Sequence, residues 1–291
     1  MVSRIVLLYA VVGAAATLAA GCGGTAAPSA EDTVVATLYP LAFAASRVAP
    51  PGVRVVDLAP PGAEPHNLEL APRDIELLRE ARLVVYLGGG FQPAVDDVLA
   101  ERGPAGLFDA RERGGVHEAP PGEDLPYDPH LWLDPLRLAK VAHGIATALG
   151  APEAANLLRA ELESLHWAFD AGLGTCERRT IVTSHAAFGY LADRYDLVEV
   201  GLAGLEPEPE SGPETLARLI DRVKETGATT VFYEPLSSGA TARVVAREAG
   251  VETAVLDPVE SLTDAQRARG EDYFTVMSRN LVALREALGC T

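Results

Sequence analysis

Short apolar runs alternate with stretches of helical spacing along most of this chain. Residues 34–37 and 53–58 are rich in valine and read as strands. Residues 83–87 form a continuous apolar run that ends in Gly88, Gly89 and Gly90. A run without polar alternation suits a strand covered on both faces, as in a parallel sheet. Pro72, at a first-turn position, opens a predicted helix over 72–80. The second half repeats the theme. Strands are predicted over 180–183, 198–200, 229–233 and 253–256, with helices over 214–224, 240–248 and 273–288. In the last helix Tyr273, Met277, Leu281, Leu284 and Leu288 share a face. Strand and helix in alternation predict an α/β fold built on parallel sheets.

Between the halves the pattern is helical without strands. Leu138, Ala142, Ile145 and Leu149 share one face, and Leu158, Leu162, Leu165 and Phe169 share another. The expected organisation is an N-terminal α/β lobe over 33–151, a linker helix over 152–173 and a C-terminal α/β lobe over 174–291. A helical link is stiffer than a loop, so little hinging is expected. Residues 118–129 and 206–214, rich in proline and acids, read as surface loops.

The first 21 residues read differently. Arg4 supplies an early positive charge, residues 5–20 are almost wholly apolar, and Leu18-Ala19-Ala20-Gly21 leads into Cys22. This is the pattern of a secretory signal peptide with a lipoprotein cleavage site, although Ala19 stands where such sites often carry Leu. The apolar run is shorter than the roughly 20 residues of a comfortable bilayer span. An uncleaved anchor helix is the alternative. In the lipoprotein reading Cys22 becomes the lipidated N-terminus, and residues 22–32 are a tether. The chain then sits on the outer face of the cytoplasmic membrane.

The formal net charge of −17 argues against nucleic acid as a partner and is compatible with cationic cargo. Cys176 and Cys290 remain as an even pair in an exported chain, which favours one disulfide over two free thiols.

Histidine is scarce, six in all, so each one can be weighed. His66 follows Pro65 just after a predicted strand, His130 lies in Asp128-Pro129-His130-Leu131-Trp132, and His185 follows a strand in Thr183-Ser184-His185. Asp257 ends a strand and precedes Pro258. Three of these four lie at carboxyl ends of strands, where open α/β sheets gather ligands. Prolines beside His66, His130 and Asp257 restrict the backbone and help hold a ligand in place. Three imidazoles and a carboxylate can close a tetrahedron around zinc. The four are dispersed and match no short metal motif, so on spacing alone separate loop and core residues are the alternative.

Residues 33–288 resemble the zinc and manganese solute-binding lipoproteins of bacterial ABC importers. The similar stretches are Pro65-His66 followed by Ala71-Pro72-Arg73-Asp74-Ile75, then Asp128-Pro129-His130-Leu131-Trp132-Leu133-Asp134-Pro135, Ser184-His185-Ala186-Ala187-Phe188-Gly189-Tyr190-Leu191, and Leu256-Asp257-Pro258. The resemblance implies two α/β lobes joined by a long helix with one metal ion between them, held by His66, His130, His185 and Asp257. It implies a monomer that delivers Zn2+ to a membrane permease and is not an enzyme. Histidine at the third position is similar to the zinc subfamily, whereas manganese members commonly carry Glu there, and imidazole suits zinc better. A manganese or iron carrier is the alternative within the family. The histidine-rich loop of many zinc members has no counterpart here, because residues 116–128 hold only His117 and several acids.

A zinc hydrolase is the alternative from another class. It would need an open coordination position and a base such as Glu234. No His-Glu-x-x-His or Gly-x-Ser-x-Gly pattern occurs. Glu234 ends a strand near the site and is read as a partner of a ligand or an ordinary strand-end acid, with a direct ligand role as the alternative; Asp128 and Asp134 are expected beside the site as partners of ligands or as caps. His117 is read as a loop residue, His143 as part of a solvated helix face, and His166 as packing beside the linker helix.

Overall fold

The computed structural model describes residues 32–207 and 212–291. The expected signal peptide and the lipidation site at Cys22 lie outside the described residues. In the first lobe the chain runs β1 (Thr33–Ala36), α1 (Tyr39–Val48), β2 (Arg54–Asp57), α2 (Pro72–Glu80), β3 (Leu83–Tyr86), α3 (Pro93–Arg102), β4 (Leu107–Asp109) and α4 (Ala110–Gly114). The helices α5 (Pro135–Ala148) and α6 (Ala155–Leu173) follow. The second lobe runs β5 (Thr180–Thr183), α7 (Gly189–Arg194), β6 (Val198–Gly201), α8 (Pro213–Thr226), β7 (Thr230–Tyr233), α9 (Ala240–Ala249), β8 (Glu252–Val255), α10 (Asp264–Ala268) and α11 (Tyr273–Leu288).

Each lobe carries one four-stranded sheet, ordered β2-β1-β3-β4 in the first and β6-β5-β7-β8 in the second. Every strand pair is parallel. All strands of a sheet therefore deliver the loops that follow them to one edge. The fold is two parallel-sheet α/β lobes.

Local chemistry explains most boundaries. Pro72 stands at the start of α2, and Asp74 accepts from the Ala71 N–H at 2.9 Å. Gly250 closes α9 and Gly289 closes α11, both in the left-handed conformation glycine tolerates. Asp134 caps α5 by accepting from Leu136 N–H at 2.9 Å. Pro152 sits in a 3-10 turn, Pro152–Ala154, so α6 begins three residues later than proline placement suggested. Six elements lacked a readable pattern: α1, α3, β4, α4, α7 and α10. In α1, Tyr39, Leu41, Ala42, Phe43, Ala44 and Ala45 are all buried, so no polar face marks it as a helix. The strand β4 has three residues, and α4 and α10 have five each, too few to show a period.

Among the described residues, three apolar clusters hold the fold. One lies under α2 and α3 on the first sheet and includes Val35, Leu78, Val84 and Leu99. Another lies under α8 and α9 on the second sheet and includes Val182, Leu219, Val231 and Val245. The largest is shared by both lobes. It joins Val34 and Val85 of the first sheet to Ile181 and Phe232 of the second through Leu138, Leu158, Leu162, Phe169 and Met277. Two lobes with a common core move relative to each other only by breaking close-packed contacts.

Cys176 and Cys290 are joined as a disulfide across 114 residues, between the end of α6 and the end of α11. No described helix is long and apolar enough to cross a membrane.

Candidate metal centre

Four buried side chains converge where the carboxyl edges of the two sheets meet: His66, His130, His185 and Glu260. Each offers one ligand atom, and all four atoms lie within 4.8 Å of one another.

His66 belongs to a 3-10 turn, Pro65–Asn67, in the loop after β2. Buried Gln92 fixes that loop. Its Nε2 donates to Thr37 O at 3.2 Å and to Pro65 O at 3.1 Å, tying together the segments that follow three strands. The Phe91 ring meets the His66 ring edge-on at 4.8 Å. His130 closes the long segment between α4 and α5. Its Nδ1–H donates to Asp128 Oδ1 at 2.8 Å, which turns Nε2 toward the centre and Glu260. Tyr190 of α7 donates to Asp128 O, Trp132 Nε1 donates to Pro258 O, and Tyr273 of α11 donates to Trp132 O, each at 2.7 Å. These bonds sew the His130 segment of the first lobe onto the second. At Gly189 a Cβ would come within 2.8 Å of Asp128 Oδ2, so a larger residue at the start of α7 would press on the carboxylate that orients His130.

His185 lies two residues beyond β5. Its Nδ1–H donates to Glu234 Oε1 at 2.6 Å, and Ser184 Oγ donates to the same oxygen. Glu234 therefore orients His185, as Asp128 orients His130. Glu260 Oε1 lies 3.0 Å from His130 Nε2, 3.5 Å from His66 Nε2 and 3.6 Å from His185 Nε2. The two Nε2 atoms of His130 and His185 are 3.4 Å apart. Bonds of roughly 2.0–2.2 Å to one central ion would put neighbouring atoms of a tetrahedron about 3.3–3.6 Å apart. The observed spacings surround that range. Among the described residues, both ring nitrogens of His66 and Oε2 of Glu260 are buried without a hydrogen-bond partner, a state costly enough to imply a ligand.

Asp257 was the expected fourth ligand, and the structure does not bring it into this cluster. Its Oδ1 accepts from Val259 N–H at 2.8 Å and its Oδ2 from Gln266 Nε2 at 2.7 Å. Its backbone is clasped by Asn280, which accepts from Asp257 N–H and donates to Asp257 O. Both carboxylate oxygens are thus spent on the turn that follows β8. Glu260, three residues on, faces the histidines instead. An aspartate before proline is a turn former, a signal in the sequence that marks Asp257 as structural and leaves the ligand to a later residue of the same loop. Among the other histidines, His117 stacks on Tyr190 at 4.1 Å and pairs with Arg137 at 2.8 Å. His143 is exposed, and His166 is half-buried against Tyr195.

Burial works against charge throughout the site. In His66 burial wins, and its pKa falls. In His130 the hydrogen bonds and charges of Asp128 and Glu260 outweigh burial and push the imidazole up to about 9. His185 is raised likewise, against burial, by Glu234 and Glu260. Burial opposes ionisation of Glu260, yet the three imidazoles hold it well below the usual carboxylate range. Such a set can exchange imidazole protons for a dication.

Fold and site together define a two-lobed α/β protein that gathers three imidazoles and a carboxylate from both lobes into one buried cation site. Residues 34–287 match the family described as "Zinc-uptake complex component A periplasmic", and the chain belongs to that family. It is 32% identical over 276 residues to "Zinc-binding lipoprotein AdcA" of Streptococcus pneumoniae, an alignment covering 87% of this chain and 55% of that protein. The chain thus spans about half the length of the first curated relatives it matches. It is 28% identical over 306 residues to "High-affinity zinc uptake system protein ZnuA" of Bacillus subtilis, covering 96% of each. The Zn(II)-bound ZnuA-like domain of Streptococcus pneumoniae AdcA superposes with a TM-score of 0.74 at 31% identity, covering 88% of this chain and 98% of the other. The laminin-binding protein Lmb of Streptococcus agalactiae superposes with a TM-score of 0.77 at 27% identity, covering 88% and 99%.

Proposed function

We propose that this protein captures Zn2+ outside the cytoplasmic membrane, tethered by a lipid on Cys22, and delivers it to the permease of an ABC importer. The carrying observation is the buried group of His66, His130, His185 and Glu260, with ligand atoms spaced for a tetrahedral ion. Three imidazoles and one carboxylate suit zinc, whereas manganese prefers an oxygen-rich set. The names of AdcA and ZnuA, and the Zn(II)-bound AdcA domain, support the same cargo. Four protein ligands would fill the tetrahedron, which describes a holder; a hydrolytic zinc site keeps one position for water.

Metal analysis and X-ray absorption on the zinc-loaded protein test this. The expected result is one zinc per chain in a mixed nitrogen and oxygen shell at about 2.0–2.2 Å. A six-oxygen shell would overturn the zinc reading and favour manganese.

A further inference from the structure

We propose that Glu64 is a relay carboxylate, which receives the incoming cation at the mouth of the site and passes it to His66. The inference rests on the proposed role in zinc capture. Glu64 caps the turn that carries His66: its Oε1 accepts from the His66 N–H at 3.3 Å. The same oxygen lies 4.0 Å from His66 Nε2, the nitrogen that faces Glu260. This is longer than the spacings within the cluster, which are 3.0, 3.5 and 3.6 Å from Glu260 to the three imidazoles. Glu64 therefore stands one step outside the closed set.

Exposure separates it from the four. The side chains of His66, His130, His185 and Glu260 are at most 2% exposed, whereas that of Glu64 is 31% exposed. Its carboxylate is partly exposed to solvent and lies 4.0 Å from the Nε2 of a buried ligand. A dication reaching four buried atoms must first shed water, and that loss is costly without a replacement oxygen. A partly solvated carboxylate can replace one water while the ion is still hydrated. His66 Nε2 can then take the ion, and Glu64 is released as the remaining ligands close.

A group that acts only on the path lowers the barrier equally in both directions. Removing it slows loading and release by the same factor and leaves the equilibrium untouched. Glu64→Gln keeps the size of the side chain and an acceptor for the His66 N–H, so the turn is preserved. The test is stopped-flow zinc binding to wild type and E64Q, with release followed by chelator chase and affinity measured by competition. The expected result is a loss of about tenfold in both rates with the dissociation constant within twofold of wild type. Unchanged rates would overturn the relay. Faster release with weaker affinity would also overturn it, by making Glu64 a ligand of the bound state. If wild type binds no zinc, the proposed function fails and the relay with it. Zinc binding with identical kinetics in both proteins removes the relay alone.

Discussion

The Asp257 carboxylate accepts a hydrogen bond from the Val259 N–H at 2.8 Å, and this bond turns the chain so that Glu260 faces the histidines. Val259 adopts a φ of 58°, a conformation that a β-branched residue enters only when its surroundings impose it. Asp257, Gln266 and Asn280 supply that constraint. The two acids therefore divide the work. Asp257 shapes the loop, and Glu260 presents its oxygen to the site.

Substitution separates the two roles. Glu260→Gln removes the carboxylate charge from the cluster, and zinc affinity is expected to fall by two orders of magnitude or more. Asp257→Asn keeps an oxygen for the Val259 N–H but places an amide against Gln266. The expected loss is about 1–2 kcal/mol of stability, with a much smaller loss of affinity. Isothermal titration with zinc and thermal melting of the metal-free proteins check both. Equal affinity losses would mean that Asp257 reaches the ion after all.

His130 and His185 depend on carboxylates behind them. Asp128→Ala or Glu234→Ala leaves Nδ1 without its acceptor and frees the ring to turn. Loss of such an orienting partner is expected to weaken zinc binding by about 10–100-fold. Among the described residues His66 Nδ1 has no such partner, so no equivalent substitution is offered for it. Competition against a zinc chelator measures the effect, and wild-type affinity in both variants would refute the orienting role.

Much of the fold was legible because its signals are local. Pro72 marks the start of α2, Gly250 the end of α9, and the spacing of Tyr273, Met277, Leu284 and Leu288 defines α11. The helix α1 was not legible, because its face toward the sheet and its face toward the shared core are both apolar. At the site, the histidines stood out by rarity, and His66 and His130 also by the proline before each. Glu260 did not, because the chain carries 41 acidic residues and position along a loop says little about which one points inward. That direction is set by the turn at Asp257, a tertiary feature held by Gln266 and Asn280 from later helices.

Glu199 should give the metal-free protein a measurable pH dependence. Burial first, and the charge of Asp128 further down, raise its carboxyl to about 7, against opposition from the Phe188 N–H, the Thr183 hydroxyl and His185. The folded pKa lies above the unfolded one, so the folded state binds the extra proton. Its contribution to stability is fullest below the ordinary carboxylate value near 4.5 and is lost as pH rises toward about 7. Glu199→Gln keeps an acceptor for the Phe188 N–H and the Thr183 hydroxyl but cannot ionise. E199Q is expected to melt higher than wild type at pH 8 and at nearly the same temperature at pH 4, both in the presence of chelator. A difference that does not change with pH would show that the carboxyl titrates normally.

The disulfide should matter to stability and not to zinc. Cys176 lies between α6 and the start of β5, and Cys290 follows α11, so the bridge sits at the amino edge of the second sheet. The metal cluster lies at the carboxyl edge, after β5 and β8. The bridge closes a loop of 114 residues. Loop entropy for about 100 residues reaches roughly 4.7 kcal/mol, and measured effects usually fall nearer 2–4 kcal/mol. Local bonds hold the two ends together even without the bridge: Arg178 N–H donates to Leu288 O at 3.0 Å, and Thr175 Oγ1 donates to Thr291 O at 3.1 Å. The native geometry of the edge should therefore survive its removal, and the loss should come from a freer unfolded chain. The Cys176→Ser, Cys290→Ser double variant is expected to lose about 2–4 kcal/mol of stability while binding zinc within twofold of wild type. An unchanged melting temperature would refute the stabilising role. A large loss of affinity at intact secondary structure would mean that strain at the amino edge reaches His185 through β5.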